Sequence, residues 1–338
     1  LCKTSSYNHS KIERNLISQT SLVNIENGKR KLDSKIVSVI NEVSIENIKL
    51  KLIHISSYHT RHTKSKYINK VAEWLKNEFI NIGYDDVSFH EFKERIDENE
   101  YKLKNIICKK NGRNHKCIII CAHYDSRMEL WYDSYSRSSG ANDNASGVSS
   151  ILEIARVLYN KKLNFDIQFV FFSGDEQNFI GSEQYAKVIR KSNLDLYRLI
   201  NLDMIGYPKL NPGQIIIERD NHNLERQNKV PVNNMDSVEC GNIMENMCAY
   251  TELNPQCSSL LSSDYEPFER RGYVVVGAYD GSAETERNPH YHSISDTPEK
   301  IDWNYLTAVT KIILATILTL DKKIKSSNRQ NKFDKKNT

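Results

Sequence analysis

Apolar residues recur along this chain in two alternating rhythms. Between Ile68 and Phe79 they fall at Ile68, Val71, Ala72, Leu75 and Phe79, the spacing of a helix with one buried face, and Gly83 supplies a stop. Ser146–Leu158 repeats the pattern through Val148, Ile151, Leu152, Ala155 and Leu158, and Val37–Ile53 has helical periodicity too. Between such segments lie short continuous apolar runs. They predict strands at Asn105–Cys108, Cys117–Cys121, Ile167–Phe172, Leu199–Leu202, Gln214–Ile217 and Val274–Ala278. Runs such as IQFVFF and VVVGA are what strands buried on both faces look like. Their alternation with amphipathic helices predicts an α/β fold, a three-layer α/β/α sandwich with a mixed, mostly parallel central sheet.

The same pattern sets the expected organisation. Residues 1–35 are polar and weakly patterned, an N-terminal arm, and residues 36–321 form one domain. Within it, residues 208–262 are polar and irregular, an excursion from the core. Residues 322–338 are basic and nearly free of large apolar groups, a disordered tail. Tyr305–Leu320 is too short for a membrane span and carries Lys311, so it reads as a buried terminal helix.

Composition then narrows the classes of function. Apolar residues make up 39% of the chain, enough for a substantial core. A net charge of +4 over 338 residues is weak, and no basic stripe with interleaved aromatics occurs, so nucleic acid is not an expected partner. Cys117 and Cys121 flank the run CIIIC and should share one face of a strand. Of the seven cysteines, Cys240, Cys248 and Cys257 are close enough in sequence to supply one disulfide in an exported protein. The first residue is Leu1, consistent with a removed leader or with a fragment.

The candidate chemistry lies just past the ends of these strands. His123 and Asp125 come after CIIIC, and Asp143 sits in GANDNASG before the helix at Ser146. Asp175 and Glu176 come after IQFVFF, Asp203 after LINL, and a late loop carries His290, Tyr291, His292 and Asp296. Each has an ordinary explanation alone: a surface turn for Asp175–Glu176, a helix N-cap for Asp143, a structural imidazole for His123. In an open α/β sheet, however, ligands bind beyond the carboxyl ends of the strands, which is where all of these residues fall. Adjacent buried acids there need positive charge beside them. Imidazoles and carboxylates without cysteine suit a zinc hydrolase.

The motifs AHYDS, GANDNASG, FSGDEQNFIGS, NLDMIG and YHSISDT resemble, in order and near spacing, those of the co-catalytic zinc aminopeptidases. That superfamily includes secreted bacterial leucyl aminopeptidases, aminopeptidase Y, glutamate carboxypeptidase and glutaminyl cyclases. The resemblance covers roughly residues 36–321, including TRHTKS before the helix at Ile68. It implies a secreted or cell-envelope, monomeric hydrolase that binds two zinc ions per chain and takes peptide substrates. Asp143 would bridge the metals, with His123 and Asp203 completing one site and Glu176 and His292 the other. Asp125 would fix the His123 imidazole, and the Asp143–Asn144 peptide bond would be cis. Asp175 would accept the proton of the attacking water, and Tyr291 would donate to the developing oxyanion or simply pack in the cleft.

Two positions leave the family pattern. Asp175 stands where the family normally has Glu, which draws the carboxylate back by about 1–1.5 Å; a displacement of that size can cost about a hundredfold in rate. Tyr265, in Ser263–Phe268, replaces a family histidine and should alter the pocket rim. Trp131, Tyr132 and Tyr135 in the loop 127–139 either line a substrate pocket or serve as packing. A one-zinc glutaminyl cyclase on the same scaffold is the alternative activity, but such enzymes tend to have Trp where this chain has Tyr291. A metal-free binding relative is a third, and such relatives lose ligands that are all kept here.

Overall fold

The computed structural model describes residues 25–26, 29–30, 32–192, 194–208, 213–220, 234–260, 262–282 and 288–334. Most of the expected N-terminal arm and the last four residues of the expected tail lie outside them. The helix expected over residues 37–53 is two helices, α1 (Ser34–Ile40) and α2 (Ile45–Ser56). The break falls at polar Asn41 and Ser44: Ser44 Oγ accepts the Asn47 amide at 3.3 Å, a cap that begins a new helix. Helix α3 (Ile68–Ile82) ends at Gly83, whose φ of 117° is a left-handed conformation that other residues resist.

Eight strands form one sheet: β1 (Val87–Ile96), β2 (Asn99–Lys110), β3 (Lys116–His123), β4 (Asp166–Phe172), β5 (Asp195–Leu202), β6 (Gln214–Arg219), β7 (Asn254–Ser259) and β8 (Val275–Tyr279), ordered β1-β2-β4-β3-β5-β8-β6-β7. The four central strands β4, β3, β5 and β8 run parallel; β1 and β2 form an antiparallel hairpin. Alternate residues of β3 supply two cores. Ile118, Ile120 and Ala122 face the larger one with α1 to α3 and α4 (Ser146–Leu158). Cys117, Ile119 and Cys121 share the other face, as expected, packing toward α5 (Ile180–Lys191) and α7 (Glu266–Glu269). The result is the α/β/α sandwich, its layers assigned by the period of two along each strand.

Within residues 208–262, of which 209–212, 221–233 and 261 lie outside the described residues, the described parts are more regular than their polarity suggests. They contribute β6, α6 (Asn234–Met247) and β7, which widen the sheet at one edge. The apolar face of α6 is only Cys240, Ile243, Met244 and Met247, diluted by Asn and Glu, and β7 is polar because it is an exposed edge. The six described cysteines are all free, so the expected disulfide among Cys240, Cys248 and Cys257 is not formed. Cys240 and Cys248 are buried in the core while Cys257 sits on the exposed edge strand.

Helix α8 (Trp303–Asp334) corrects the expected tail, since it runs on past Asp321. A helix already nucleated in the core gains one hydrogen bond for each residue added, and Lys, Arg and Gln propagate it well. Lys323 also ties this segment to α6 through an ion pair with Glu239 at 2.6 Å. By length and composition Trp303–Lys323 could cross a membrane, which revises the view that this segment is too short. Packing accounts for its apolarity, since 67% of it is buried inside the fold.

Candidate metal centre

The parallel strands end level with one another. His123 is the last residue of β3 and pairs in register with Phe172, while Leu202 of β5 pairs with Ala278 of β8. Asp175 and Glu176 lie one turn beyond β4, in a short 3-10 segment entered through Gly174 at φ 82° and left through Asn178 at φ 67°. Asp203 comes directly after β5 and donates its amide to Ala278 O at 3.2 Å. Asp143 precedes α4, and the Asp143–Asn144 peptide bond is cis. Close packing of α4 on the sheet depends on Gly147, where a Cβ would stand 2.7 Å from Leu202 O and 3.0 Å from Ala122 Cβ. Asp143 is not the helix cap: Asn144 Oδ1 accepts the Gly147 amide at 3.0 Å, which leaves the Asp143 carboxylate for the site.

That carboxylate faces two imidazoles. Its Oδ1 lies 3.2 Å from His123 Nε2 and its Oδ2 3.0 Å from His292 Nε2. Asp203 Oδ1 is 3.2 Å from His123 Nε2, and Glu176 Oε2 is 3.2 Å from His292 Nε2. Two groups that could hold a metal ion therefore share one member: His123, Asp143 and Asp203, and Asp143, Glu176 and His292. Asp175 Oδ2 stands 3.8 Å from His123 Nε2. Asp125 sits behind His123, with Oδ1 3.6 Å from Nδ1, and accepts the amides of Asp175 and Glu176 at 3.3 and 3.2 Å. Tyr291 stacks on His292 with ring centroids 3.6 Å apart.

The charges make this a cation-fitting site. Burial alone would lower His123, yet Asp175 and Asp203 raise it well above the ordinary imidazole value. Burial opposes His292 likewise, and Glu176 and Asp143 push it up to about 9. Burial would raise Asp143, but hydrogen bonds with His123 and His292 hold it below the carboxylate range. Asp175 is driven well up by burial, with His123 opposing and Asp264, Asp203 and Glu176 adding to the rise. Two enclosed carboxylate oxygens, Asp175 Oδ1 and Glu176 Oε1, have no hydrogen-bond partner. Nitrogen and oxygen donors with unspent acceptor capacity suit a divalent metal of the zinc type.

Several contributors are given no role by the sequence, although Arg61, Ser263 and Asp296 stand in its motifs. Arg61 is fully buried and donates to Tyr124 O at 2.7 Å and Gly140 O at 2.9 Å, which fixes the approach to Asp143; burial lowers it to about 10. Arg127 Nε donates to Glu176 Oε2 at 2.7 Å. Ser263 Oγ donates to Asp203 Oδ2 at 2.7 Å and is itself held by Asn201 Nδ2 at 2.9 Å. Asp296, the acid of the YHSISDT motif, accepts the Asn142 and Asp143 amides at 2.9 and 3.1 Å. The adjacent Asp264 is fully buried, and burial pushes it up to about 7.

The pocket residues separate. Trp131 and Tyr132 are 51% and 53% exposed on the loop that starts at Arg127, and Tyr135 is 87% exposed. The Trp131 carbonyl hydrogen-bonds with His62 Nε2 at 2.9 Å, which ties the loop to TRHTKS. Tyr265 has no exposed surface: its ring belongs to the smaller core with Phe268, so it does not form an open rim. Its place at the start of α7 carries it inward with the helix.

Comparison with known proteins agrees with this architecture. A probable leucine aminopeptidase of Trichophyton verrucosum is 25% identical over 85% of this chain and 76% of its own length. Leucine aminopeptidase 1 of Colletotrichum graminicola is 25% identical over 86% of this chain and 72% of its own. The Legionella pneumophila aminopeptidase LapA shares the fold with a TM-score of 0.69 at 20% identity, covering 91% of this chain and 78% of that one. A Bacteroides thetaiotaomicron glutaminyl cyclase does so with a TM-score of 0.68 at 19% identity, covering 81% and 97%. The profile of Peptidase family M28 matches residues 105–317, a span that holds every residue of the two metal-fitting groups, and the chain belongs to that family.

Proposed function

We propose that residues 36–321 form a monomeric, two-zinc aminopeptidase that removes N-terminal residues from peptides outside the cytoplasm. The observation that carries the proposal is Asp143, with one carboxylate oxygen 3.2 Å from His123 and the other 3.0 Å from His292. A carboxylate set between two imidazoles in this way suits a bridge, with His123 and Asp203 on one metal and Glu176 and His292 on the other. The fungal relatives named leucine aminopeptidase support the exopeptidase choice.

Zinc bound there would lower the pKa of water and polarise the scissile carbonyl. Beside zinc, the Asp175 carboxylate would stay ionised against the burial that raises it, and as the base its unpartnered Oδ1 would take the proton of the attacking water and return it to the leaving amine. Asp125 orients the whole group, since it backs His123 and holds the Asp175 and Glu176 amides. Tyr291 keeps its proton, because burial and then Asp143 and Glu176 push its hydroxyl far above the usual phenol value. A protonated hydroxyl beside His292 is a donor for the oxyanion. Trp131 and Tyr132 on the exposed loop give the substrate side chain apolar contact.

The test is an assay of purified protein on a panel of aminoacyl-aminocoumarins and on a peptide with N-terminal Gln, with and without chelator, while bound zinc is counted. About two zinc ions per chain and chelator-sensitive release of free amino acid are expected. Cyclisation of the Gln peptide without hydrolysis would overturn the proposal. Cell fractionation with an antibody to the chain reads the location.

A further inference from the structure

Arg127 stands at the metal centre with part of its donor capacity unused. It lines one depression together with Asp143 and His292, and its side chain is 21% exposed. Its guanidinium is held in place: Nε donates to Glu176 Oε2 at 2.7 Å, and Nη1 to the Met128 and Glu129 carbonyls at 3.2 and 3.1 Å. Nη2 donates to no described residue. In a guanidinium Nη2 shares an edge with the Nε–H, about 2.3 Å away, so an acceptor on Nη2 lies beside Glu176. Tyr291, raised by burial and by Asp143 and Glu176, feels this cation as well. Glu176 is the one ion-pair partner of Arg127 among the described residues, and a metal ion on Glu176 competes for the same negative charge. A partly buried cation whose counter-charge is shared needs another anion, and a fixed guanidinium suits a planar carboxylate.

We propose that Arg127 takes the C-terminal carboxylate of a dipeptide, which makes dipeptides the preferred substrates of this centre. The inference rests on the aminopeptidase proposal and names its substrate class. Reach selects the length of the peptide. In a dipeptide three bonds separate the scissile carbonyl carbon from the carboxylate carbon, a distance under about 4 Å. One residue more carries the carboxylate up to about 3.3–3.6 Å further. Arg127 touches a metal-fitting residue directly, so the nearer carboxylate is the one within its reach. An amidated end offers only a neutral carbonyl oxygen, a weaker partner for a guanidinium.

The experiment measures release of the first residue by the zinc-loaded protein from L-leucylglycine, L-leucylglycinamide, L-leucylglycylglycine and L-glutamylglycinamide. For L-leucylglycine, kcat/KM is expected to exceed that of the other three at least about tenfold, with the difference mainly in KM. Arg127→Gln removes both Nη groups yet keeps a donor for Glu176 where Nε stood, so the preference should fall below about threefold. Weaker metal binding in that variant would slow all four peptides alike and leave their ratio unmoved. Calorimetric dissociation constants give the same ratio for a variant too slow to assay. The inference is overturned by an amide or tripeptide cleaved within about threefold of the dipeptide, or by Arg127→Gln that keeps the preference. L-glutamylglycinamide cleaved as well as L-leucylglycine would overturn it too, since Arg127 would then serve an acidic first side chain. Release from all the leucyl peptides without preference leaves the aminopeptidase proposal standing, whereas no release from these peptides or from aminoacyl-aminocoumarins overturns both.

Discussion

The two ends of the Asp143 carboxylate face parts of the molecule built in different ways. On one side, His123 and Asp203 sit at the ends of adjacent central strands, and backbone pairing sets their positions before any side chain is considered. On the other side, Glu176 rides a single turn bracketed by left-handed residues, and His292 has φ 50° in a loop rich in turns. The strand-borne pair is positioned by the same hydrogen bonds that hold the sheet. The turn-borne pair depends on side chains brought from elsewhere, chiefly Arg127 on Glu176. Residues around a site that orient its ligands should therefore matter unequally, more on the turn side than on the strand side.

The largest effect comes from the residue common to both sides. Asp143→Ala removes the shared carboxylate, so both metal positions should weaken together and hydrolysis should vanish. Metal analysis after desalting is expected to give less than one zinc per chain; two retained ions would break the assignment of Asp143 as a bridge. Asp175→Asn comes next and belongs to neither side. It keeps the shape and removes the proposed base, so turnover should fall by about 10²–10⁴-fold while zinc content matches that of the parent protein. Unchanged kcat in that variant would remove Asp175 from the mechanism.

Arg127→Met separates the sides. It withdraws the guanidinium that holds Glu176, and loss of such an orienting partner costs about 10–100-fold in metal affinity or activity. Chelator titration should show one of two zinc ions released earlier than in the parent protein, with the other unmoved. Equal loss of both would mean that the two positions are mechanically one.

Legibility in the sequence divides along the same line. His123, Glu176 and Asp203 follow apolar strands, Asp143 precedes a helix and His292 lies in the loop after the last strand, so topology gathers them at one edge while the family resemblance is what singles these five out as ligands. The supporting residues were hidden because their partners are remote: Arg127 meets Glu176 across 49 residues of chain and Ser263 meets Asp203 across 60. Tyr265 is the instructive failure. Its motif suggested a rim, but Phe268 and the smaller core draw α7 inward and bury the ring. In residues 208–262 the fold itself was obscured, because α6 has a narrow apolar face and β7 is a polar edge strand.

Ser263→Ala should have the smallest effect, and it is the sharpest test of the contrast. The hydroxyl donates to Asp203 at 2.7 Å, the same distance at which Arg127 donates to Glu176. Distance alone would rank the two partners together. The backbone argues otherwise: Asp203 is fixed by its amide bond to Ala278 O and by the end of β5, whether or not Ser263 is present. With water able to take the place of the hydroxyl, its removal should cost only the low end of the net value of a hydrogen bond, about 0.5–1 kcal/mol, or about two- to fivefold. Affinity for the more tightly held zinc should fall less than that for the other falls in Arg127→Met, with kcat nearly unchanged. A Ser263→Ala variant that lost its metal as readily as Arg127→Met would show that strand ends give these ligands no advantage over turns.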